Sequence, residues 1–185
     1  MDYNQDICDI DLQFDIEKLK AALDDLLRYA YFKEGAVSGI PLNKIPNNNV
    51  ADLRGIYWIK NQDGNEEQRE EYVDESLYSE FVDEFKNSYF KHVYDTLKSE
   101  FNIGRVRLLK LKPRQSLSYH RDPEPRLHIP ITTNPGALMI VDQFACNLKA
   151  DGNVYYTNTT KYHTALNGGE SDRIHMVITL LDPYE

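Results

Sequence analysis

The chain has 185 residues, a formal net charge of −9, and 41% hydrophobic and 28% charged residues, a composition typical of one globular domain. Residues 1–100 carry 22 acidic and 11 basic side chains. This balance argues against nucleic acid as a partner, because phosphate groups need clustered Lys and Arg. No apolar run approaches the ~20 residues that a membrane-spanning helix requires, so no membrane partner is expected.

Cysteine use and the first residues bear on the compartment. The two cysteines, Cys8 and Cys146, are too few for a disulfide framework, which favours a reducing environment. The opening "MDYNQDICDIDLQF" is acidic and lacks the basic and apolar regions of a secretory signal. Together these features predict a cytoplasmic protein.

The first half of the chain is predicted to be mainly helical. Residues 15–32 have helical apolar spacing, with Asp15 as N-cap and Gly35 as a stop signal. "GIYWIKN" (55–61) has strand-forming residues and ends in a turn. A long amphipathic helix is predicted over about 75–100. Its apolar positions recur every fourth residue: Leu77, Phe81, Phe85, Tyr89 and Val93.

After Phe101 the pattern changes to short β-branched and aromatic segments, several of them separated by turn residues. The segments are RVRLLKLK, RLHIPITT, ALMIVDQF, NVYYTNTT, KYHTAL and RIHMVITLL. Closely spaced strands of this kind predict a barrel or jelly roll rather than alternating β–α units. We therefore expect a single domain over residues 1–185, mainly β with some α. Residues 1–100 would form a helical support region, and residues 101–185 the core barrel with the metal site.

The stretch "YHRDPEPRLHIPITT" (119–133) raises the question of a metal site. In an extended chain, residues two apart share a face, and His120, Asp122, Arg126 and His128 are all at even positions. A lone His-x-Asp pattern is weak evidence for a metal site, since it also fits a surface turn in which Asp122 caps backbone amides ahead of Pro123. His163 on a later predicted strand strengthens it, because two imidazoles and one carboxylate form the facial triad that suits ferrous iron.

Arg173 predicts an anion site. It lies ten residues after His163, across a Gly-Gly turn, and pairing of 161–166 with 172–181 would bring the two together. Its face also carries His175, Val177 and Thr179, while the alternate positions are apolar. An arginine that enters a β interior needs an anionic partner. A ligand carboxylate held by the guanidinium fork would supply it.

These residues carry a family resemblance. "HRD…RLHIPITTNPGALMI…YHTALNGGESDRIHMVI" resembles the Fe(II)/2-oxoglutarate-dependent dioxygenases, and among them the aspartyl/asparaginyl β-hydroxylase-like branch, which includes free-proline hydroxylases. The similarity spans about residues 105–182. It implies a double-stranded β-helix, which is a jelly-roll, cupin-like barrel with helices on its outer face. It also implies Fe(II), the cosubstrate 2-oxoglutarate and molecular oxygen as cofactors.

Position by position, the resemblance assigns His120, Asp122 and His163 as iron ligands. It assigns Arg173 to the far carboxylate of 2-oxoglutarate. Arg126 and His128 resemble the pair that contacts the cosubstrate or the substrate near the metal. For Arg126, an ion pair with Glu124 or Asp122 at the rim is the competing interpretation. Some members of the branch lack a carboxylate at the position of Asp122, so its presence disfavours transfer of the aspartyl/asparaginyl substrate itself.

The predicted function is hydroxylation of an unactivated C–H bond. The substrate would be a free, proline-like amino acid, or an amino-acid residue in a peptide or protein. The alternative is a cupin-like metal-binding protein, an isomerase or a sensor, that does not use 2-oxoglutarate. Arg173 discriminates between the two, because a site without 2-oxoglutarate does not need it. A non-catalytic interaction module would leave both the triad and Arg173 unexplained.

Overall fold

Strands make up most of the regular structure. The computed structural model of the protein describes residues 4–35, 38–48 and 53–182. Within these ranges the chain forms two α-helices, α1 (Ile16–Leu26) and α2 (Tyr89–Glu100), and short 3₁₀ helices at Glu75–Leu77 and Asp83–Phe85. The strands are β1 (Ile7–Gln13), β2 (Ser38–Pro41), β3 (Asn43–Lys44), β4 (Tyr57–Lys60), β5 (Glu66–Arg69), β6 (Glu80–Phe81), β7 (Ile103–Leu111), β8 (Gln115–Ser116), β9 (His120–Arg121), β10 (Arg126–Thr132), β11 (Ala137–Val141), β12 (Phe144–Cys146), β13 (Asn153–Thr157), β14 (His163–Asn167) and β15 (Arg173–Leu180).

Two antiparallel sheets form a double-stranded β-helix, as predicted. The major sheet has the order β1-β13-β10-β15-β7-β2, and the minor sheet has the order β12-β11-β14-β9-β4-β5, with β8 also paired to β14. β3 and β6 form a separate pair. Each of the six segments predicted as strands after Phe101 contains a strand. The barrel is not confined to residues 101–185, however, because β1, β2, β4 and β5 come from the first half and lie in the two sheets.

The outer face of the major sheet packs on the helices. Leu127, Ile129 and Ile131 of β10 are fully buried, and Ile174, Met176 and Ile178 of β15 join the same apolar cluster. Helix residues such as Leu19, Leu23, Phe90 and Val93 complete this cluster. Because side chains alternate along a strand, the intervening residues of β10 and β15 point to the opposite face, toward the barrel interior.

Helix α1 begins where the sequence predicts and ends earlier. The Asp15 side chain accepts hydrogen bonds from the backbone N–H groups of Glu17 and Lys18, which is the expected N-cap. The helix ends at Leu26 rather than near Gly35. After that point Tyr29 and Tyr31 are exposed, and Phe32 reaches the core from irregular backbone.

The prediction of one helix over 75–100 is wrong for its first half. Helix α2 begins at Tyr89 with Ser88 as N-cap, and the preceding residues form two 3₁₀ turns and strand β6. Phe81 and Phe85 are buried nonetheless. Apolar side chains at four-residue intervals can reach the same core from irregular backbone, so their spacing alone does not fix a helix.

The predicted pairing of the segments around His163 and Arg173 is also wrong. β14 pairs with β11, β9 and β8 in the minor sheet, whereas β15 pairs with β10 and β7 in the major sheet. The connection between them therefore crosses from one sheet to the other. Asn167 stabilises this crossing, because its side-chain amide donates to the backbone oxygens of Leu111 and Ser171.

Cys8 and Cys146 are both free thiols.

None of the helices in the described ranges has the length and apolar character needed to span a membrane.

Candidate active site

His120, Asp122 and His163 lie together between the two sheets. His120 on β9 is directly opposite His163, the first residue of β14. One potential ligand atom from each of the three residues lies within 4.8 Å of the others. The distances are 3.7 Å from His120 Nε2 to Asp122 Oδ1 and 3.8 Å from His163 Nε2 to Asp122 Oδ2. Asp122 therefore faces the two histidines rather than capping a surface turn.

The two imidazoles are oriented through their other ring nitrogens. His120 Nδ1 lies 2.7 Å from the Ser118 carbonyl oxygen, and His163 Nδ1 lies 3.0 Å from that of Lys161. Since a carbonyl can only accept, both Nδ1 atoms carry the proton and donate. This arrangement leaves each Nε2 as a lone-pair donor to a metal, with its ring fixed by a backbone bond. Two such imidazoles and one carboxylate match the donor set that suits Fe(II).

The electrostatics of the cluster favour the metal-binding protonation states. Burial would raise the pKa of the Asp122 carboxyl, but the Arg126 charge, and after it electrostatic interactions with His163 and His120, lower it below its usual range. Burial lowers the pKa of His163 to about 4, although Asp122 opposes the shift. At neutral pH the carboxylate is therefore ionised, and the His163 imidazole is neutral, as metal coordination requires.

Arg173 is buried at the start of β15, opposite Leu111 of β7. Its exposure is 4%, and its Nη2 atom has no hydrogen-bond partner. No carboxylate of the described residues forms an ion pair with it. Burial lowers the pKa of its guanidinium to about 10. An arginine in this state is costly unless an anion from outside the chain pairs with it.

Arg126 and His128 on β10 also point into the interior, so the alternation resumes after the "DPEPR" turn as predicted. Arg126 is buried, with Nη2 3.2 Å from Asp122 Oδ2 and Nη1 3.4 Å from Glu124 Oε2. The ion pairs considered from the sequence are thus present, but inside the site rather than at its rim. His128 is buried, and its Nδ1 has no partner in the described part of the chain.

Sequence reasoning missed three charged residues of the site: Glu75, Arg105 and Arg107. The two arginines alternate with the core residues Val106 and Leu108 on β7, and all three charged side chains are buried. The Arg105 guanidinium donates to the Glu75 carboxylate, whose pKa is about 2, because hydrogen bonds and charges of the arginines outweigh the effect of burial. The alternation in "RVRLLKLK" was the available signal, but it equally fits a strand with a solvated face.

All of these groups line one cavity of about 490 Å³, a volume typical of small-molecule sites. The minor sheet and the adjoining loop contribute His120, Asp122 and His163, while the major sheet contributes Arg107, His128 and Arg173. The arrangement can therefore hold a divalent cation on one wall and anionic groups on the other.

Comparisons with known proteins agree with this geometry. The family model "Aspartyl/Asparaginyl beta-hydroxylase" matches residues 77–183, more than half of the chain. A comparison with curated proteins found no match. One similar solved structure is a 2OG-Fe(II) oxygenase family oxidoreductase from Burkholderia pseudomallei, at 13% identity and TM-score 0.56, covering 94% of this chain and 83% of that chain.

Two further structures share the fold over nearly the whole length of both chains. Viral collagen prolyl hydroxylase vCPH from Paramecium Bursaria Chlorella virus-1, a 2OG complex, has 10% identity and TM-score 0.52, covering 95% of this chain and 96% of that chain. IDO from Bacillus thuringiensis has 10% identity and TM-score 0.50, covering 96% and 92%. At these identities the likeness concerns the fold.

A double-stranded β-helix with a His-Asp-His cluster beside a buried arginine defines the class of non-haem iron oxygenases. Within that class, the chain belongs to the aspartyl/asparaginyl β-hydroxylase family. It is a 2-oxoglutarate-dependent hydroxylase whose cofactors are Fe(II), 2-oxoglutarate and O₂. The alternative of a cupin-like protein that does not use 2-oxoglutarate is therefore set aside.

Proposed function

We propose that the Fe(II) ligands are His120, Asp122 and His163. The proposal is supported by the convergence of their ligand atoms within 4.8 Å and by the backbone bonds that fix both imidazoles. An Fe(II) ion held by these three residues would keep coordination positions for the cosubstrate and oxygen. Arg126 contributes by pairing with Asp122, which keeps that carboxylate ionised and oriented.

Arg173 binds the far carboxylate of 2-oxoglutarate. The observation that carries this proposal is a buried guanidinium with an unpartnered nitrogen, lining the same cavity as the three proposed iron ligands. A dicarboxylate can pair with Arg173 at one end and reach the metal with the other. His128 is on β10, opposite Val177 of β15, and Arg126 is two residues earlier on the same strand. The Nδ1 atom of His128 has no partner in the described residues, so it is available to the cosubstrate or the substrate.

The substrate is an amino acid, and the leading candidate is a free, proline-like amino acid, ahead of a residue within a peptide or protein. Bound Fe(II), 2-oxoglutarate and O₂ supply the oxidation of a C–H bond to C–OH. The chain itself orients the target bond and excludes competing reactions. A cavity of about 490 Å³ with buried cationic walls accommodates a small polar substrate beside the cosubstrate.

The test is mass spectrometry of free amino acids and short peptides incubated with the protein, Fe(II), 2-oxoglutarate and air. We expect one free amino acid to gain one oxygen atom while 2-oxoglutarate is converted to succinate. The Asp122→Ala variant is the negative control. Oxygen incorporation only into peptides would overturn the free amino-acid substrate, and no product with no succinate would overturn the proposed reaction.

The roles of Arg126 and His128 are tested by measuring product and succinate separately in Arg126→Ala. Loss of product with retained succinate indicates substrate binding, and loss of both indicates a role toward the cosubstrate or the metal. Because Arg126 also pairs with Asp122, Fe(II) affinity is measured in the same variant. This measurement separates a role toward the cosubstrate from a role toward the metal. His128→Phe, which retains a ring of similar shape without nitrogen, gives the matching measurement for the imidazole.

A further inference from the structure

Arg107 is a second buried arginine of the cavity that forms no ion pair with an acidic residue in the described part of the chain. It lies on β7 opposite Val177 of β15, with 6% exposure. Its Nη1 donates to the Leu53 carbonyl oxygen at 2.8 Å. Its Nε is buried without any hydrogen-bond partner, and no carboxylate among the described residues forms an ion pair with it.

The other cationic side chains of the cavity differ from Arg107 and Arg173 in this respect. Each has a carboxylate within ion-pair distance: Arg54 with Glu70, Arg105 with Glu75, Lys110 with Asp172, and Arg126 with Asp122 and Glu124. Within residues 4–35, 38–48 and 53–182, Arg107 and Arg173 are therefore the two cations lining the cavity that have no acidic partner. One cosubstrate carboxylate accounts for Arg173, whereas Arg107 has no acidic partner within these ranges.

Strand register places the two arginines in different parts of the cavity. Arg107 pairs with Val177, whereas Arg173 is four residues earlier on the same strand β15, a separation of about 13 Å at the usual rise per residue. Side chains stand roughly perpendicular to a sheet, so the two guanidiniums do not share one carboxylate. Val177 of β15 lies between Arg107 on β7 and His128 on β10. His128 is therefore one strand away from Val177, on the side opposite Arg107.

Burial makes the Arg107 charge costly in the unliganded protein. Burial, followed by the charges of Arg105 and Arg126, lowers the pKa of its guanidinium to about 9, although the carboxylates of Glu75 and Asp122 oppose the shift. A neutral ligand group, such as a peptide carbonyl, leaves that positive charge uncompensated. A carboxylate compensates it and can accept two parallel hydrogen bonds from the fork.

We propose that Arg107 binds the α-carboxylate of a free amino-acid substrate, in an anion subsite separate from that of Arg173. The proposal rests on the proposed function and specifies its substrate class. A residue inside a peptide has no free α-carboxylate, so the subsite selects free amino acids over internal residues of a protein. Arg107 is then a specificity-determining residue rather than part of the cosubstrate site.

The experiment is isothermal titration calorimetry on the protein loaded with Fe(II) and 2-oxoglutarate under anaerobic conditions. The titrants are the twenty standard L-amino acids and the α-carboxamide of each one that binds. We expect at least one amino acid to bind, and its carboxamide to bind at least about 10-fold more weakly, since hydrogen bonds to a charged group are lost. This comparison uses the wild-type protein and needs no variant.

The variants assign the effect to Arg107. In Arg107→Leu the amino acid should bind about 10- to 100-fold more weakly, at the same 2-oxoglutarate affinity, and the preference for it over its carboxamide should disappear. Arg107→Lys should be intermediate, because it keeps the charge and loses the fork. Arg114→Leu is the control, since Arg114 is an exposed arginine whose ion pair with Glu170 lies at the surface.

Several outcomes would overturn the proposal. These are equal affinity for an amino acid and its carboxamide, unchanged amino-acid affinity in Arg107→Leu, or no amino acid bound by a wild-type protein that binds 2-oxoglutarate. A weakened 2-oxoglutarate affinity in Arg107→Leu would assign the residue to the cosubstrate instead. If the wild-type protein with Fe(II) does not bind 2-oxoglutarate, the proposed function fails, and this inference fails with it.

Discussion

Replacement of Arg173 by methionine should change stability and cosubstrate binding in opposite directions. In the unliganded protein Arg173 is a buried cation with an unpartnered nitrogen. Methionine has a similar reach, no charge and no polar group to satisfy. Replacing buried charged groups with apolar ones of similar size is often neutral or stabilising by up to about 4 kcal/mol. The variant should therefore unfold at the same temperature as the wild type or at a higher one.

The cosubstrate should stabilise the wild type and hardly stabilise the variant. At a concentration 100 times Kd, a ligand adds about 2.7 kcal/mol of stability, which for a chain of this size raises Tm by about 5–11 °C. Loss of charged hydrogen bonds of roughly 1.5–3 kcal/mol weakens binding about 10- to 100-fold. With a 100-fold loss, the same 2-oxoglutarate concentration equals Kd and adds only about 0.4 kcal/mol, or about 1 °C.

Thermal unfolding of Fe(II)-loaded protein under anaerobic conditions, with and without 2-oxoglutarate, measures both effects. Arg173→Lys separates charge from geometry, because it keeps the cation but cannot form two parallel bonds. It should lose most of the 2-oxoglutarate shift without the gain in basal Tm. A full 2-oxoglutarate shift in Arg173→Met would refute the carboxylate role, and a marked fall of its basal Tm would refute the claim that the charge is unpaired.

Three further predictions follow from the site and its surroundings. Asp122→Ala and His163→Ala should remain folded by circular dichroism but lose Fe(II) binding and turnover; full activity in both would show that the ligands are assigned wrongly. Glu75→Gln should lower the free energy of unfolding in urea by about 3–5 kcal/mol, because it removes the carboxylate that pairs with the buried Arg105 guanidinium, whereas the surface variant Glu170→Gln should have much less effect. Burial, then Arg173 and His128, hold the pKa of His175 well below 6.5, so the unfolded state takes up a proton that the native state does not, and stability should fall as pH drops below about 6.5. His175→Leu should reduce this slope by up to about 1.4 kcal/mol per pH unit, and an unchanged slope between pH 7 and pH 5 would contradict the neutral buried imidazole.

The face on which each predicted site residue lies could be derived from the sequence, because strands impose a period of two. Arg126 and His128 alternate with Leu127 and Ile129, and the structure buries the first pair in the cavity and the second pair against the helices. The same rule places Arg173 and Val177 in the cavity. A residue's face is a local property, so a local pattern is enough to predict it.

Pairing between strands could not be derived in the same way. The "NGG" sequence between β14 and β15 suggests a hairpin, yet the two strands belong to different sheets. A glycine-rich turn allows the chain to reverse but does not determine which sheet the next strand joins. That choice depends on the strands available for pairing elsewhere in the chain. β11 pairs with β14, whereas β7 and β10 pair with β15. The prediction of one helix over 75–100 was wrong for a related reason. Phe81 and Phe85 are buried in the core, but their spacing does not determine whether the backbone between them is helical.

The polar face of β7 illustrates why the missed residues could not be recognised locally. In "RVRLLKLK", Arg105 and Arg107 alternate with core residues, as they would on a strand with one solvated face. The 3₁₀ turn at Glu75–Leu77 and the segment at residues 53–55 contact these side chains and make them interior residues. Once covered, each arginine requires a negative charge, from the chain or from a ligand. Glu75 meets this requirement for Arg105, and because Arg107 has no equivalent among the described residues, we propose a substrate carboxylate as the group that completes the cavity.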